Sequence, residues 1–248
     1  MIKDGLRKLF RILGYDLRKY VPGQMYMPFE FTEEGAFVKR LQDNNIDVVF
    51  DIGANNGTWA SSLRSWGYVG KIISFEPQKA MFEELAIKAK VDERWDVCHC
   101  AIGNEDGEAE INVSKNTLSS SLRAMTAKHI SAKGESIYTG KEKTVVKKID
   151  SVLDRYVLDD SNVFLKIDTQ GFEKNVLEGA SKSLGRVKGV QLEMSFQELY
   201  EGEVQFFELQ QYVKSLGFIL CHLENGFCDE KTGELLQVDA MFISKTKP

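Results

Sequence analysis

The most constraining feature of the sequence is a regular alternation of short apolar runs with segments of helical periodicity from Ile46 onward. Parallel strands require helical crossovers, so this alternation is typical of an α/β fold. Strands are predicted at residues 47–52, 72–76, 96–101, 162–168, 188–194, 217–223 and 238–244. Helices are predicted at residues 33–44, 57–66, 78–90, 149–157, 172–184 and 203–216. The pattern predicts a Rossmann-like, doubly wound sheet of seven strands.

The end of the chain predicts one departure from a parallel sheet. The last two apolar runs are separated by Asn225-Gly226 and a short polar segment, a pattern that favours a hairpin. One strand of this hairpin would therefore enter the sheet antiparallel to its neighbours.

The chain divides into an N-terminal segment and one larger domain. Residues 1–32 are predicted to form a basic amphipathic helix and a linker, and residues 33–248 to form a domain with an insertion at 103–146. The insertion has a pattern compatible with a hairpin near residues 108–113, followed by a Ser-, Lys- and Gly-rich stretch without periodicity. Long irregular segments in compact domains are often functional, so we predict a mobile lid.

The first twenty residues carry six basic and two acidic side chains. Apolar residues recur among them at helical spacing, namely Leu6, Leu9, Phe10, Leu13 and Leu17. Such a helix can pack on its own domain or on a partner subunit, or it can lie on an anionic membrane surface; packing is the preferred interpretation. Homo-oligomer formation and peripheral contact with the inner membrane surface both stay open.

Charge and cysteine content narrow the classes of function. The formal charge is -5 and the pI is about 5.4. Nucleic-acid binding depends on clustered Lys and Arg, so this balance argues against DNA or RNA as a partner. Four cysteines are too few for a disulfide scaffold and no signal peptide is recognisable, so we expect a cytoplasmic protein. No apolar run approaches the roughly 20 residues that span a bilayer.

The first predicted strand leads through a glycine turn into a helix, with the sequence V-V-F-D-I-G-A-N-N-G at residues 48–57. The start of the helix would present free N–H groups to an anionic ligand, and a glycine would let the ligand approach the backbone. The spacing G-x-x-x-G differs from the G-x-G-x-x-G of dinucleotide-binding turns and favours the amino-acid end of S-adenosylmethionine. The cofactor-binding residues predicted in this turn are Asp51, Gly53, Ala54, Asn55, Asn56 and Gly57.

The next two strands end in further candidates for cofactor binding. Glu76 follows Gly53 by 23 residues, and a carboxylate at this strand end can accept hydrogen bonds from both ribose hydroxyls. Pro77 then begins the next helix with its φ angle already set. At the end of the third strand, Ala101 and Ile102 would edge an adenine ring.

Several motifs together resemble the FkbM-type methyltransferase family. They are F-D-I-G-A-N-N-G at the first strand, S-F-E-P at the second, A-I-G after the third, L-K-I-D-T-Q-G-F-E-K-N-V-L-E-G-A at residues 165–180 and a late V-D-A-M-F-I. The resemblance implies a class I methyltransferase architecture, S-adenosylmethionine as cofactor and O-methylation in natural-product or glycan biosynthesis. Many relatives read D-x-E-G where this chain has Gln170, so a role assigned to an acid at that position does not carry over.

Acidic residues at two strand ends are the candidates for catalysis. Asp168 is the first choice for orienting or deprotonating an acceptor hydroxyl, with Glu173 and Glu193 in support, and it is also predicted to border the cofactor. His129 in the insertion is an alternative base.

Lys166, in a strand that should be buried, requires a carboxylate partner, and Glu193 is the candidate. Asp168 and Glu193 could also bind Mg²⁺, but no third oxygen ligand can be identified, so a metal is not favoured.

The sequence leaves the acceptor less well defined than the cofactor. Hydroxyl side chains cluster at residues 117–122, T-L-S-S-S-L, where they would hydrogen-bond a sugar or another polyol. Together with the membrane-surface option for the basic helix, they favour a small hydroxylated acceptor such as a glycan or glycolipid precursor. Two other classes remain open, an NAD-dependent oxidoreductase and a cofactor-binding regulatory or scaffold protein without turnover.

Overall fold

A computed structural model describes residues 29–245. Among these residues, no helix is long and apolar enough to cross a membrane. The amphipathic helix predicted at the start of the chain lies outside the described residues, so its packing and its membrane contact stay predictions.

The strands of the described chain are β1 Val48–Ile52, β2 Lys71–Phe75, β3 Trp95–Cys98, β4 Ala101–Ile102, β5 Gly107–Ser114, β6 Tyr138–Lys147, β7 Val163–Ile167, β8 Val187–Ser195, β9 Phe218–Asn225 and β10 Gln237–Ser244. Seven of them form one sheet in the order β3-β2-β1-β7-β8-β10-β9. Strand β10 pairs antiparallel with β8 and β9, and the other neighbours pair in parallel. The predicted Rossmann-like sheet with one antiparallel strand is confirmed.

The helices are α1 Glu33–Asp43, α2 Thr58–Ser65, α3 Lys79–Ala89, α4 Ala127–Ala132, α5 Ile149–Tyr156, α6 Glu173–Glu178 and α7 Phe206–Ser215. Short 3-10 turns lie at Phe29–Phe31, Gly134–Ser136 and Leu184–Arg186. Helix α1 begins where its sequence predicts, because the Thr32 side chain accepts the Gly35 N–H at 3.1 Å and caps the first turn.

Helix α6 ends at Glu178, so the helix predicted over residues 172–184 is too long. The Asp150 carboxylate accepts the N–H groups of Lys182 and Ser183 and the hydroxyl of Ser183 at 2.7–3.1 Å. These bonds hold the segment in turns instead of a further helical turn. Asp150 lies 32 residues before Lys182, so local periodicity does not reveal it.

Side chains alternate between two hydrophobic layers on the faces of the large sheet. Phe50 packs against Phe75 at a ring distance of 5.4 Å, in the layer that α5, α6 and α7 cover. On the other face, Phe164 meets Phe37 of α1 at 5.8 Å, in the layer that α1, α2 and α3 cover. Each fully buried side chain of this size contributes roughly 1.5–3 kcal/mol. The layers cover both faces of the sheet, and ligands of such sheets bind at the carboxyl ends of the strands.

Strands β5 and β6 of the insertion form a second sheet with β4, in the order β4-β6-β5, so the insertion is not irregular throughout. The prediction of a local hairpin near residues 108–113 is wrong, because β5 runs through this segment and pairs with β6. The third predicted strand is also divided, since β3 joins the large sheet and β4 pairs with β6. Buried polar contacts support the insertion; for example, the Ser114 hydroxyl donates to the Ser136 carbonyl at 3.0 Å.

Candidate active site

A pocket opens at the carboxyl ends of β1, β2 and β7, the edge at which open α/β sheets bind ligands. The structure brings seven predicted site residues into its lining, namely Gly53, Asn55, Glu76, Pro77, Ala101, Ile102 and Asp168. The lining does not include Asp51, Ala54, Asn56 or Gly57, which were predicted to bind the cofactor.

The two glycines of the first turn are required for packing. Gly53 and Gly57 each have a φ angle of 78°, in the left-handed region that favours glycine. A Cβ on Gly53 would lie 1.8 Å from the main-chain oxygen of Asp168, and a Cβ on Gly57 would lie 2.7 Å from Leu85 Cδ1. Gly53 therefore permits the close approach of β1 to the end of β7, which places Asp168 at the pocket.

Asp51 faces a lysine and not a ligand. Its side chain is fully buried, with Oδ1 3.3 Å from Lys166 Nζ, and the same ammonium lies 3.3 Å from Asp168 Oδ2. The prediction that Lys166 pairs with Glu193 is therefore wrong. Lys166 lies opposite Asp51 in β1 and opposite Gln191 in β8, which leaves Glu193 farther along the strand.

Glu76 is buried, and backbone amides hold its carboxylate in place. The Asn55 N–H donates to Oε2 and the Gln78 N–H donates to Oε1, each at 2.7 Å. Burial raises the pKa of Glu76 to about 7 against the opposing effect of these two hydrogen bonds. Each carboxylate oxygen has a second lone pair, so Glu76 can also accept hydrogen bonds from ligand hydroxyls.

The pocket wall near Glu76 is apolar and includes Ile52, Phe75, Ala101, Ile102, Ile111 and Phe172. Sequence analysis gave no role to Phe172 or to Gln78, which also lines the pocket. A Cβ on Gly103 would lie 3.0 Å from the Phe172 ring, so the glycine of the A-I-G motif makes room for it. Gln78 directly follows the E-P pair at the end of the second strand, and this position was the signal that could have identified it. A flat aromatic ring fits a wall of this kind.

Asp168 is the carboxylate of the lining that reaches solvent, with 35% of its side chain exposed. Its Oδ1 accepts a hydrogen bond from Gln170 Nε2 at 2.8 Å, and its Oδ2 accepts one from Lys166 Nζ at 3.3 Å. Burial disfavours the charged form of Lys166, but Asp168 and Asp51 outweigh it and raise the pKa of the lysine above its usual range. Lys166 therefore stays cationic and compensates the negative charge of Asp168.

A family model for the methyltransferase FkbM domain matches residues 51–220, which include the end of β1, Glu76 and Asp168. The chain belongs to this methyltransferase family. Its resemblance to FkbM-type methyltransferases, predicted from the motifs, is thereby confirmed. Among curated proteins, none matches the sequence.

Several solved structures are similar to this methyltransferase at low sequence identity. A methyltransferase FkbM from Methylobacillus flagellatus matches with a TM-score of 0.51 and 14% identity, over 86% of this chain and 48% of that one. This chain thus spans about half the length of that protein. An rRNA methylase from Streptococcus thermophilus matches with a TM-score of 0.46 and 12% identity, over 90% and 100% of the two chains. M. capricolum TrmK in complex with S-adenosyl-homocysteine matches with a TM-score of 0.47 and 8% identity, over 84% and 68%.

In this methyltransferase the two supporting acids lie beside the described pocket lining and not within it. Glu193 Oε2 accepts a hydrogen bond from Gln170 Nε2 at 2.5 Å, and burial, with help from neighbouring carboxylates, raises its pKa well above the usual value. Glu173 Oε1 accepts the N–H groups of Thr169 and Gly171 at 3.0 and 3.2 Å, so it stabilises the turn after β7. Among the described residues, no group of three or more His, Cys, Asp or Glu side chains could hold a metal ion.

The structure does not support His129 as a base. It lies in α4 and not in a solvated loop, with 2% exposure and its ring 5.1 Å from the rings of Tyr200 and Phe227. Burial lowers its pKa to about 4. An enclosed imidazole outside the described pocket lining has no path to an acceptor hydroxyl.

The hydroxyl-rich segment at residues 117–122 contributes to the pocket lining, through every residue except Ser119. The Thr117 carbonyl accepts hydrogen bonds from Asn55 Nδ2 and Gln78 Nε2, each at 3.2 Å. The insertion is thereby attached to the two residues whose backbone amides hold Glu76.

Proposed function

We propose that this methyltransferase uses S-adenosylmethionine to methylate a hydroxyl oxygen on a sugar, a glycan precursor or another small natural product. The observation that carries the proposal is the placement of Asp168, a partly exposed carboxylate in the same pocket as Glu76. The described lining of this pocket contains no lysine, arginine or histidine. One buried acid is thus available for a ribose, and one accessible acid for an acceptor.

The residues present fit the cofactor. The lone pairs of Glu76 that the amides leave free would accept the ribose hydroxyls, and the apolar wall with Ala101, Ile102 and Phe172 would contact the adenine. Gly53 and Asn55 would border the amino-acid part. When bound, S-adenosylmethionine supplies a methyl group activated by the positive charge of its sulfur.

Asp168 would act on the acceptor in two ways. Its carboxylate accepts a hydrogen bond from the acceptor hydroxyl and so directs an oxygen lone pair toward the methyl group. It would then take up the hydroxyl proton as the oxygen–carbon bond forms and the methyl–sulfur bond breaks. Lys166 stabilises the carboxylate before the transfer, and the side chains of Leu118 and Leu122 reduce the access of water.

The polarity of the lining favours an uncharged polyol as acceptor. The hydroxyls of Ser120 and Ser121 donate to Gln78 Oε1 at 3.0 Å and to the Gln170 carbonyl at 2.7 Å. Each oxygen also accepts one backbone N–H, from Ser114 at 2.9 Å and from Arg123 at 3.0 Å, which leaves one lone pair on each for a ligand hydroxyl. A nucleic-acid acceptor would require cationic side chains for its phosphates. Sugar hydroxyls require neutral acceptors and donors, which this lining provides.

Titration calorimetry tests the cofactor assignment directly. We expect S-adenosylmethionine and S-adenosyl-homocysteine to bind with micromolar affinity and NADH not to bind. The variant Glu76→Ala should lose this binding, whereas Glu108→Ala, at an exposed position of β5, should keep it. Binding of NADH, or unchanged affinity in Glu76→Ala, would overturn the assignment.

A further inference from the structure

Gln170 occupies a backbone conformation that side chains other than glycine rarely adopt. Its φ angle is 55°, and it is followed by Gly171 with a φ angle of 91°. For a residue with a Cβ this region is strained, so compensating contacts are expected. Gln170 is only 9% exposed and lies between the end of β7 and the start of α6.

The amide of Gln170 bridges two carboxylates. Its Nε2 donates one hydrogen bond to Asp168 Oδ1 at 2.8 Å and a second to Glu193 Oε2 at 2.5 Å. Both N–H groups of the amide are therefore used, and each meets an acid. A neutral donor at this position allows the two acids to lie side by side, whereas a third carboxylate would repel both.

Tyr200 supports the orientation of this amide that the two carboxylates require. Its buried hydroxyl donates to Gln170 Oε1 at 2.5 Å, so the amide nitrogen must face the acids. In the reversed orientation, Oε1 would face two carboxylates and the phenol would meet an N–H group. The phenol could then accept the N–H and donate to the Ser119 carbonyl, 3.4 Å away, but the amide oxygen would repel both carboxylates and leave them without this donor.

We propose that Tyr200 and Gln170 are positioning residues that orient the Asp168 carboxylate toward the acceptor hydroxyl. This inference rests on the proposed function of Asp168. The carboxylate is held at both oxygens, by Gln170 at Oδ1 and by Lys166 at Oδ2. Rotation of the Asp168 carboxylate about its Cβ–Cγ bond is thereby restricted. The lone pairs that it exposes to the pocket therefore keep one direction. In the D-x-Q-G sequence of this chain, an amide that holds two carboxylates thus stands in place of an acid.

The inference is tested first without any acceptor, by carbon-13 NMR of the side-chain carboxyl groups in the full chain. The Asp168 resonance is assigned as the one lost in Asp168→Asn. Tyr200→Phe should move this resonance by more than its linewidth. Tyr138→Phe is the matched control, since its half-buried hydroxyl donates to the Arg123 carbonyl at 2.8 Å and not to Gln170; it should leave the resonance in place.

The variant Gln170→Glu gives a second, pH-dependent readout. The introduced carboxyl can donate to Asp168 only while it carries a proton, so the Asp168 resonance should return toward its wild-type position as the pH falls from 8 to about 5. The charged and titratable groups around this position are Lys166, Asp51, Glu193, Asp239, Glu173 and Tyr200. Burial raises the pKa values of Glu173, Asp239 and Glu193, so these groups affect the wild type as well, and the readout is the difference between the variant and the wild type at each pH.

The outcomes distinguish a failure of the positioning role of Gln170 and Tyr200 from a failure of the proposed function. If the Asp168 resonance is the same in wild type, Tyr200→Phe and Gln170→Glu, the positioning role is wrong, whatever the cofactor titration shows. If it moves as expected but S-adenosylmethionine does not bind, the proposed function fails instead. With a methyl acceptor found, Tyr200→Phe should lower kcat about tenfold at unchanged KM.

Discussion

Lys166 Nζ lies 3.3 Å from Asp51 Oδ1, and both side chains are buried beneath the pocket. The two residues are direct partners in the pairing of β1 with β7. A buried charge without its partner costs several kcal/mol, so each of them requires the other. The same lysine also neutralises Asp168, and the pair therefore links the stability of the sheet to the charge of the site.

Replacing Lys166 with Met should lower the free energy of unfolding by about 3–5 kcal/mol at pH 7, because it leaves Asp51 buried without a counter-charge. The loss should be smaller at pH 5, since burial raises the pKa of Asp51 and a proton can replace the lysine. Urea denaturation measures both values. Lys39→Met, which removes an exposed ion pair with Asp43, should change the free energy by less than about 0.5 kcal/mol. Equal losses in the two variants would refute the buried pair.

Gly53→Ala should destabilise the protein by more than about 2 kcal/mol and weaken cofactor binding. The added Cβ would meet the Asp168 carbonyl oxygen at 1.8 Å, so β1 and β7 must separate. Gly67→Ala is the control. Gly67 also has a positive φ angle, of 105°, but the space that an added Cβ would occupy is open. It should cost about 1 kcal/mol and leave binding unchanged. Thermal unfolding and calorimetry compare the two; similar effects would contradict the packing role.

Glu173→Gln should flatten the dependence of stability on pH. Burial raises the pKa of Glu173 to about 7, above its value of 4.5 in an unfolded chain. The folded state therefore keeps a proton that the unfolded state releases, and this contribution to stability is present below pH 4.5 and lost as the pH rises through 7. Between pH 5 and 8 the wild type should lose about 1–3 kcal/mol more than the variant. Glu178→Gln, at an exposed position of α6, should behave as wild type in the same denaturation series.

Asp168→Asn should abolish methyl transfer while cofactor binding persists. The amide cannot accept the hydroxyl proton, and losing a base of this kind costs about 10²–10⁴-fold in rate. Transfer of a labelled methyl group to a panel of sugars and small polyols measures the rate, and calorimetry measures the binding. Asp106→Asn, at an exposed turn before β5, serves as the active control. A variant at Asp168 that transfers methyl groups at the wild-type rate would exclude this residue as the base.

The sequence by itself determined the large sheet, its hairpin and the edge at which the site lies. These features follow from the period of apolar residues and from short motifs at strand ends, both of which are local. Glu76 and Asp168 could be placed at the pocket because each directly follows a strand of the parallel sheet.

Only the tertiary structure decided the partners of the buried polar groups. Lys166 pairs with Asp51 and not Glu193, and Glu173 stabilises a turn, because strand register and loop conformation determine which atoms meet. The insertion forms a sheet and His129 is buried for the same reason, since contacts between distant residues decide both. Pairing across long sequence separations leaves no periodic signal in the chain, and desolvation depends on everything that packs around a group.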